Sequence, residues 1–227
     1  DTGKQVRFEA CGGHFALSLD GVGEGFKESK KPHTLEFKTM NDKNFKATKN
    51  MGVEKSKPIY WAQCQIGMHL AGLDRCYFFA VNKNTDEMYG ERIKLNKKEA
   101  QGLIDKAEKI VFSTLPPDKI SGDASDWRCK FCPYWAICHG CKIPEVSCRT
   151  CAHVTPEKDG TWSCALGKPA VTCDDHLYIP QIMPKDFEMT DAGDDWVEYE
   201  DLDTGETFRN NGNSREIFEG RMRDGNA

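Results

Sequence analysis

Residues 14–39 read HFALSLDGVGEGFKESKKPHTLEFKT, and the two alternating runs at the ends of this stretch decide the fold. Side chains on a strand point alternately to opposite faces. Phe15, Leu17 and Leu19 therefore share one face, and His14, Ala16, Ser18 and Asp20 share the other. Gly21, Gly23 and Gly25 supply a turn, after which His33 to Thr39 places Leu35 and Phe37 opposite Glu36 and Lys38. The pattern predicts a hairpin with one apolar and one ionisable face.

Working outward, Pro58 suits a first helical turn and Gly72 a helix stop, with Ile59, Ala62, Ile66 and Leu70 as the expected buried stripe. Cys76–Val81 and Met88–Leu95 read as strands about the turn-like Asn82-Lys83-Asn84-Thr85. A helix follows from the capping-box pattern Asn96-Lys97-Lys98-Glu99, carries Leu103, Ala107, Ile110 and Val111 at helical spacing, and stops before Pro116 and Pro117. The order strand, strand, helix, strand, strand, helix predicts an α/β fold with a mixed central sheet flanked by helices.

The chain has 227 residues, 38% of them hydrophobic, enough for one sizeable domain and a smaller module. No run approaches the roughly 20 apolar residues of a membrane span, and no basic stretch with an apolar core opens the chain. A cytoplasmic protein is expected. The start at Asp1, running at once into strand-like sequence, predicts that the first domain lacks an N-terminal part. Net charge is −5, but residues 181–227 alone carry 13 Asp and Glu against 5 Lys and Arg, so residues 1–180 are mildly basic at +3. Phosphate affinity follows where cations cluster, so the total neither requires nor excludes nucleic acid.

Hydrolysis of a phosphodiester calls for a divalent metal held by hard carboxylate oxygens, with a cation beside it to steady the developing charge. Asp20 and Glu36 supply carboxylates and Lys38 the cation. His14, at even spacing from Asp20, is a further metal-ligand candidate. Polar residues at i and i+2 also describe the solvated face of any amphipathic strand, so the spacing by itself leaves both readings open.

Taken together, these motifs resemble the PD-(D/E)XK nucleases of the RecB-like and phage exonuclease kind. LSLDG carries the first aspartate at Asp20, LEFKT the Glu-x-Lys at Glu36 and Lys38, and YWAQCQIGMHLAG the downstream glutamine at Gln63. C-x2-C-P-Y-x3-C at Cys129, Cys132 and Cys138 looks like the cysteine signature that follows the core in many RecB-like members. The resemblance spans roughly residues 6–141. It implies a magnesium- or manganese-dependent deoxyribonuclease, an exonuclease of phage-type recombination or replication acting on DNA, with a recombination or replication protein as a further partner. Asp20 and Glu36 would hold the metal, Lys38 would assist and Gln63 would support the site. Host cytoplasm is the implied compartment for a phage-encoded enzyme. Two departures stand out: Gly67 occupies the place of the family's tyrosine four residues after the glutamine, and His14 lies only six residues before Asp20 where members carry a histidine well upstream.

Eleven cysteines in such a chain point first to metal. Cys11, Cys64 and Cys76 read as small buried hydrophobes. The other eight fall between Cys129 and Cys173 and form two sets. Cys129, Cys132, Cys138 and Cys141 suit zinc or an iron-sulfur cluster. Relatives close the cluster with a distant upstream cysteine, a part Cys11 could fill; local closure by Cys141, with His139 as substitute, gives zinc and is favoured. Cys148, Cys151, Cys164 and Cys173 have zinc-ribbon spacing, a hairpin around Asp159-Gly160, and His176 as an alternative to Cys173.

The expected organisation is thus a nuclease core at 1–126, a cysteine-rich metal-binding module at 127–180 and an acidic, solvated tail at 181–227 with a short hairpin about Asp203-Thr-Gly205. Two rival readings accompany it: a non-catalytic zinc-containing adaptor for nucleic acid or protein with a vestigial site, and an iron-sulfur nuclease of CRISPR spacer acquisition.

Overall fold

The computed structural model describes residues 5–27, 29–140, 142–169 and 174–223. Cys141 and Cys173 lie outside the described residues. The fold is mixed α/β, with several small sheets and six α-helices among the described residues. It divides into two compact units, residues 1–112 with 158–160, and residues 113–157 with 161–227. No described helix is long and apolar enough to cross a membrane.

In the first unit the opening strand does not pair as expected. Val6–Ala10 (β1) and Phe15–Leu19 (β2) form their own antiparallel hairpin, with Val6 opposite Leu19 and Ala10 opposite Phe15, around the tight turn Cys11–Gly13. Only the short Gly21–Gly23 (β3) pairs with His33–Met40 (β4). Beyond β4 the sheet continues with Arg75–Asn82 (β5), parallel to it, and Met88–Lys94 (β6), antiparallel, in the order β3-β4-β5-β6. A parallel pair needs a crossover, and Asp42–Ser56 (α1) and Pro58–Leu70 (α2) provide it.

Helix α1 was not foreseen. Its cap is legible all the same: Asn41 accepts from the Asn44 amide, and the helix bends at Gly52, whose φ of 77° a side chain would disfavour. The α2 limits agree with expectation but its buried stripe does not. Ile59 is exposed, while Cys64, Gln65, Gly67 and Met68 are buried. Of these, Cys64 and Met68 join Met40, Phe45, Val53, Cys76, Phe78, Ala80 and Ile93 in the core. Lys97–Val111 (α3) starts as expected, the Asn96 side chain accepting from the Glu99 amide.

Gly67 lets α2 lie against the hairpin. A Cβ there would come within 2.6 Å of Leu19 Cδ2 and 3.5 Å of Leu17 Cδ2, so a larger residue at this position requires the buried Leu19 side chain to shift.

In the second unit the cysteine-rich segment holds two single-turn helices, Trp127–Lys130 (α4) and Trp135–Cys138 (α5). Val154–Pro156 (β7) and Trp162–Cys164 (β8) form the expected hairpin over Asp159-Gly160. Within 181–227, the described residues 181–223 are not a solvated tail. Phe187–Ala192 (β9), Val197–Asp201 (β10) and Thr207–Asn210 (β11) form an antiparallel sheet, followed by Ser214–Arg223 (α6). Val197 and Tyr199 pack with Ile143, Leu177, Tyr178 and Met183 in one core. The division expected at Pro180 is therefore no structural boundary, and the first division falls near 112 rather than 126.

The contact of Gly67 with Leu19 sets a prediction. Gly67→Tyr overpacks a closed contact, which costs about 2 kcal/mol or more even against the better helix propensity of tyrosine, and urea denaturation of the variant beside the parent reads that loss.

Candidate active site

The carboxylates and the lysine come together, though on the face opposite to the one their polarity suggests. Along β4, Thr34, Glu36 and Met40 are buried, while Phe37 is 49% exposed. The ionisable face lies under the helix layer. Glu36 is 2% exposed and stands beside buried Phe78 of β5 in register. Its Oε1 pairs with Lys38 Nζ, and Lys38 extends toward Tyr60 of α2, its ammonium 5.1 Å from the ring centroid.

Asp20 joins them from the end of β2. One step beyond the Gly21–Leu35 pair, the antiparallel register sets Asp20 opposite Glu36. Its Oδ2 accepts from the Phe37 amide at 2.7 Å, and its Oδ1 accepts from Gln5 Nε2 at 3.3 Å. This hydrogen bond fixes the Asp20 carboxylate against the strand that carries Glu36 and Lys38.

Electrostatics follow from that crowding. Burial pushes the Glu36 carboxyl above its ordinary value, with the charge of Asp20 adding and the bond to Lys38 opposing. For Lys38, burial acts to lower the pKa, but the bond and charge of Glu36, with Asp20 and Tyr60, outweigh it and hold the ammonium above its ordinary value. The centre thus sets a protonated lysine beside two carboxylates, one of them desolvated.

The remaining expected residues divide. Gln63 is half-buried in the middle of α2. The buried glutamine is Gln65, which ties α2 to the sheet by donating to the Lys94 carbonyl at 3.0 Å and accepting from the Asn96 amide at 2.7 Å. His14 is not part of β2. It closes the turn before that strand and meets Phe112 edge-on at 6.0 Å. Six residues of extended chain put it roughly 20 Å from Asp20, so it does not share the carboxylates' metal. Tyr60 was not singled out, although it lies one turn before Gln63 and three residues apart is a shared helix face.

Cys64 and Cys76 are buried, as expected, and Cys11 half-buried. The Cys64 thiol is pushed well up by its hydrogen bond to Cys76 and by burial, so it is not poised to react. Within the second unit Cys129 is buried, Cys132 and Cys138 half-buried, and none of the described cysteines is in a disulfide. Backbone bonds from Cys132 to Cys129 and from Trp135 to Cys132 wind this segment tightly. The Nε2 of His139 is buried without a hydrogen-bond partner. Trp127, Phe131 and Tyr134, interleaved with these cysteines, are exposed.

Cys148, Cys151 and Cys164 line one small void with His153, Asp175 and His176. Burial lowers the His176 pKa to about 4, against the bond to Ser147, and so keeps the ring neutral. Among the described residues no three His, Cys, Asp or Glu side chains are gathered as a formed metal site.

The raised pKa of Glu36 has a defined consequence for stability. A folded-state carboxyl that keeps its proton after the unfolded chain has released it makes the fold lose stability as pH rises above the ordinary value of 4.5. In buffer free of magnesium and manganese, Glu36→Gln is expected to be at least as stable as the parent at pH 7 and to lack this loss. Urea midpoints between pH 4 and pH 8 measure it; a variant weaker by about 3 kcal/mol would make Glu36–Lys38 a structural ion pair instead.

No protein-family model matches the chain, and no curated protein matches it. Among solved structures, one titled "Crystal structure of SSO0001" is similar at 17% identity and a TM-score of 0.38, covering 55% of this chain and 50% of that one. The chain spans about half the length of that structure, and so loose a likeness assigns neither a fold family nor an activity.

Proposed function

We propose that the chain is a divalent-metal-dependent DNA nuclease with a PD-(D/E)XK-type centre, in which Asp20 and Glu36 hold a magnesium or manganese ion. The observation that carries this reading is the burial of Glu36 on the helix-covered face of β4 with half-buried Lys38 beside it and Asp20 bonded to the same strand. A solvated strand face would leave these charges in water. Burying a carboxylate costs several kcal/mol unless something compensates, and a fold that retains one at its sheet centre beside a second carboxylate is arranged for a cation.

The ion, when bound, supplies Lewis acidity that activates water and neutralises developing charge. The chain's own residues do the rest. Asp20 is oriented by the Phe37 amide, and its other oxygen, which accepts one 3.3 Å bond from Gln5, keeps a further lone pair for a ligand. Lys38 holds its proton and would donate a hydrogen bond to the attacking water or to a phosphate oxygen as charge grows there, while Glu36 and Asp20 would hold the ion. Tyr60 steadies the lysine through its ring face. The exposed Trp127, Phe131 and Tyr134 suit stacking on the bases of a single strand. Exonuclease action in phage-type recombination or replication remains the substrate context we infer from the sequence motifs, with zinc at the cysteine sets and an iron-sulfur cluster as the alternative at the first.

End-labelled linear single- and double-stranded DNA, incubated with Mn2+, tests the proposal. The parent should degrade DNA, and Asp20→Ala, Glu36→Ala and Lys38→Ala should each cut at least about a hundredfold more slowly, the effect of removing roughly 3 kcal/mol of transition-state stabilisation. A parent that binds DNA without cutting it would make the chain a zinc-containing adaptor.

A further inference from the structure

The second cysteine set contains a histidine whose bonding is already that of a metal ligand. His176 is 3% exposed. Its Nε2 lies 3.1 Å from the Ser147 carbonyl oxygen and 3.1 Å from Thr150 Oγ1. A carbonyl only accepts, so Nε2 carries the ring hydrogen, and the neutral ring presents a bare lone pair at Nδ1. That Nδ1 is buried and has no hydrogen-bond partner. Buried polar atoms are nearly always paired, and an unpaired one on a ring whose other nitrogen is fixed by a backbone carbonyl matches how proteins orient metal-bound imidazoles.

The surroundings match. The void that His176 lines measures about 10 Å³, room for one water-sized sphere, and Cys148, Cys151 and Cys164 line it too. Its walls are braced by backbone. Ile179 donates to the Thr150 carbonyl at 3.1 Å and Ala152 to the Leu177 carbonyl at 2.7 Å, lashing the strand of His176 to the turn that carries Cys148 and Cys151. Ser147 and Thr150 cap that same turn. Cys164 ends β8 opposite Val154, which brings the third thiol to the knuckle through the hairpin.

We propose that Cys148, Cys151, Cys164 and the Nδ1 of His176 bind one zinc ion in a tetrahedral Cys3His site, and that Cys173 is not a ligand. The three thiols turn inward about χ1 and lose their protons on binding; the histidine already has its lone pair free. Four protein ligands close the coordination shell, so the site is structural. This inference rests on reading the second cysteine set as a metal site.

The test uses the full chain, with bound zinc counted after exhaustive dialysis and Co2+ as a spectroscopic substitute. Cys173→Ser should keep the parent's zinc content and its Co2+ absorption. His176→Gln should release one equivalent of zinc or weaken its retention at least tenfold. His176→Cys guards against a simple folding failure, because it should retain the metal while its Co2+ spectrum gains sulfur charge-transfer intensity. Loss of zinc in Cys173→Ser with full retention in His176→Gln overturns the assignment of the fourth ligand alone. A parent that takes up neither metal overturns the metal reading of this cysteine set as well.

Discussion

The parallel pairing of β4 with β5 is the constraint on which the first unit depends. Two parallel neighbours cannot be joined by a tight turn, so the chain must leave the sheet, cross over it and return, and α1 and α2 occupy that path. One face of β4 is thereby roofed. The roofed face carries Thr34, Glu36, Lys38 and Met40. Everything specific about the site follows: Glu36 loses water, Lys38 becomes its partner, Tyr60 reaches the ammonium from the roof, and Asp20, arriving at the strand edge, bonds to the Phe37 amide.

This also explains where a reading of the sequence succeeds and where it misleads. The residues Asp20, Glu36 and Lys38 are legible because alternation along a strand is a local property. Which face is covered is not local. Leu35 and Phe37 look like the core side, yet the crossover covers the other, and Phe37 is left half exposed. In α2 the same error recurs. Ile59 seems to anchor the stripe, but the helix is held where it can approach closest, at Gly67 against Leu19, and that rotates Cys64, Gln65 and Met68 inward. A small residue at a contact is easily taken for a missing functional one. Here Gly67 has a packing reason to be small, and the ring near the lysine comes from Tyr60 instead. Helix α1 escaped notice because Gly52 interrupts a segment whose outer face is crowded with lysine.

Composition misled in the second unit. Residues 181–227 are acidic enough to suggest a solvated terminus, but acid and apolar residues alternate along β10, with Val197 and Tyr199 inward and Glu198 and Glu200 on the other face. Net charge averages away that period of two. The strand needs no more than those inward side chains to share a core with Ile143 and Tyr178. The cysteine-rich segment thus gains a neighbouring apolar core, which its three-residue strands β7 and β8 are too short to build alone.

The two units carry side chains suited to two kinds of coordination chemistry. Carboxylates with an exchangeable position suit a hard ion that must admit substrate and water; thiolates with an imidazole suit a borderline ion held shut. Were the thiols placed beside Asp20 and Glu36, zinc would compete for the carboxylates and close the position a phosphate must take. Cys64, whose thiol feels the charges of Glu36 and Lys38, avoids this by being buried and bonded to Cys76, which raises its pKa and keeps it a poor ligand. In the proposed nuclease centre, selectivity would depend as much on keeping thiolates out as on the oxygens it provides.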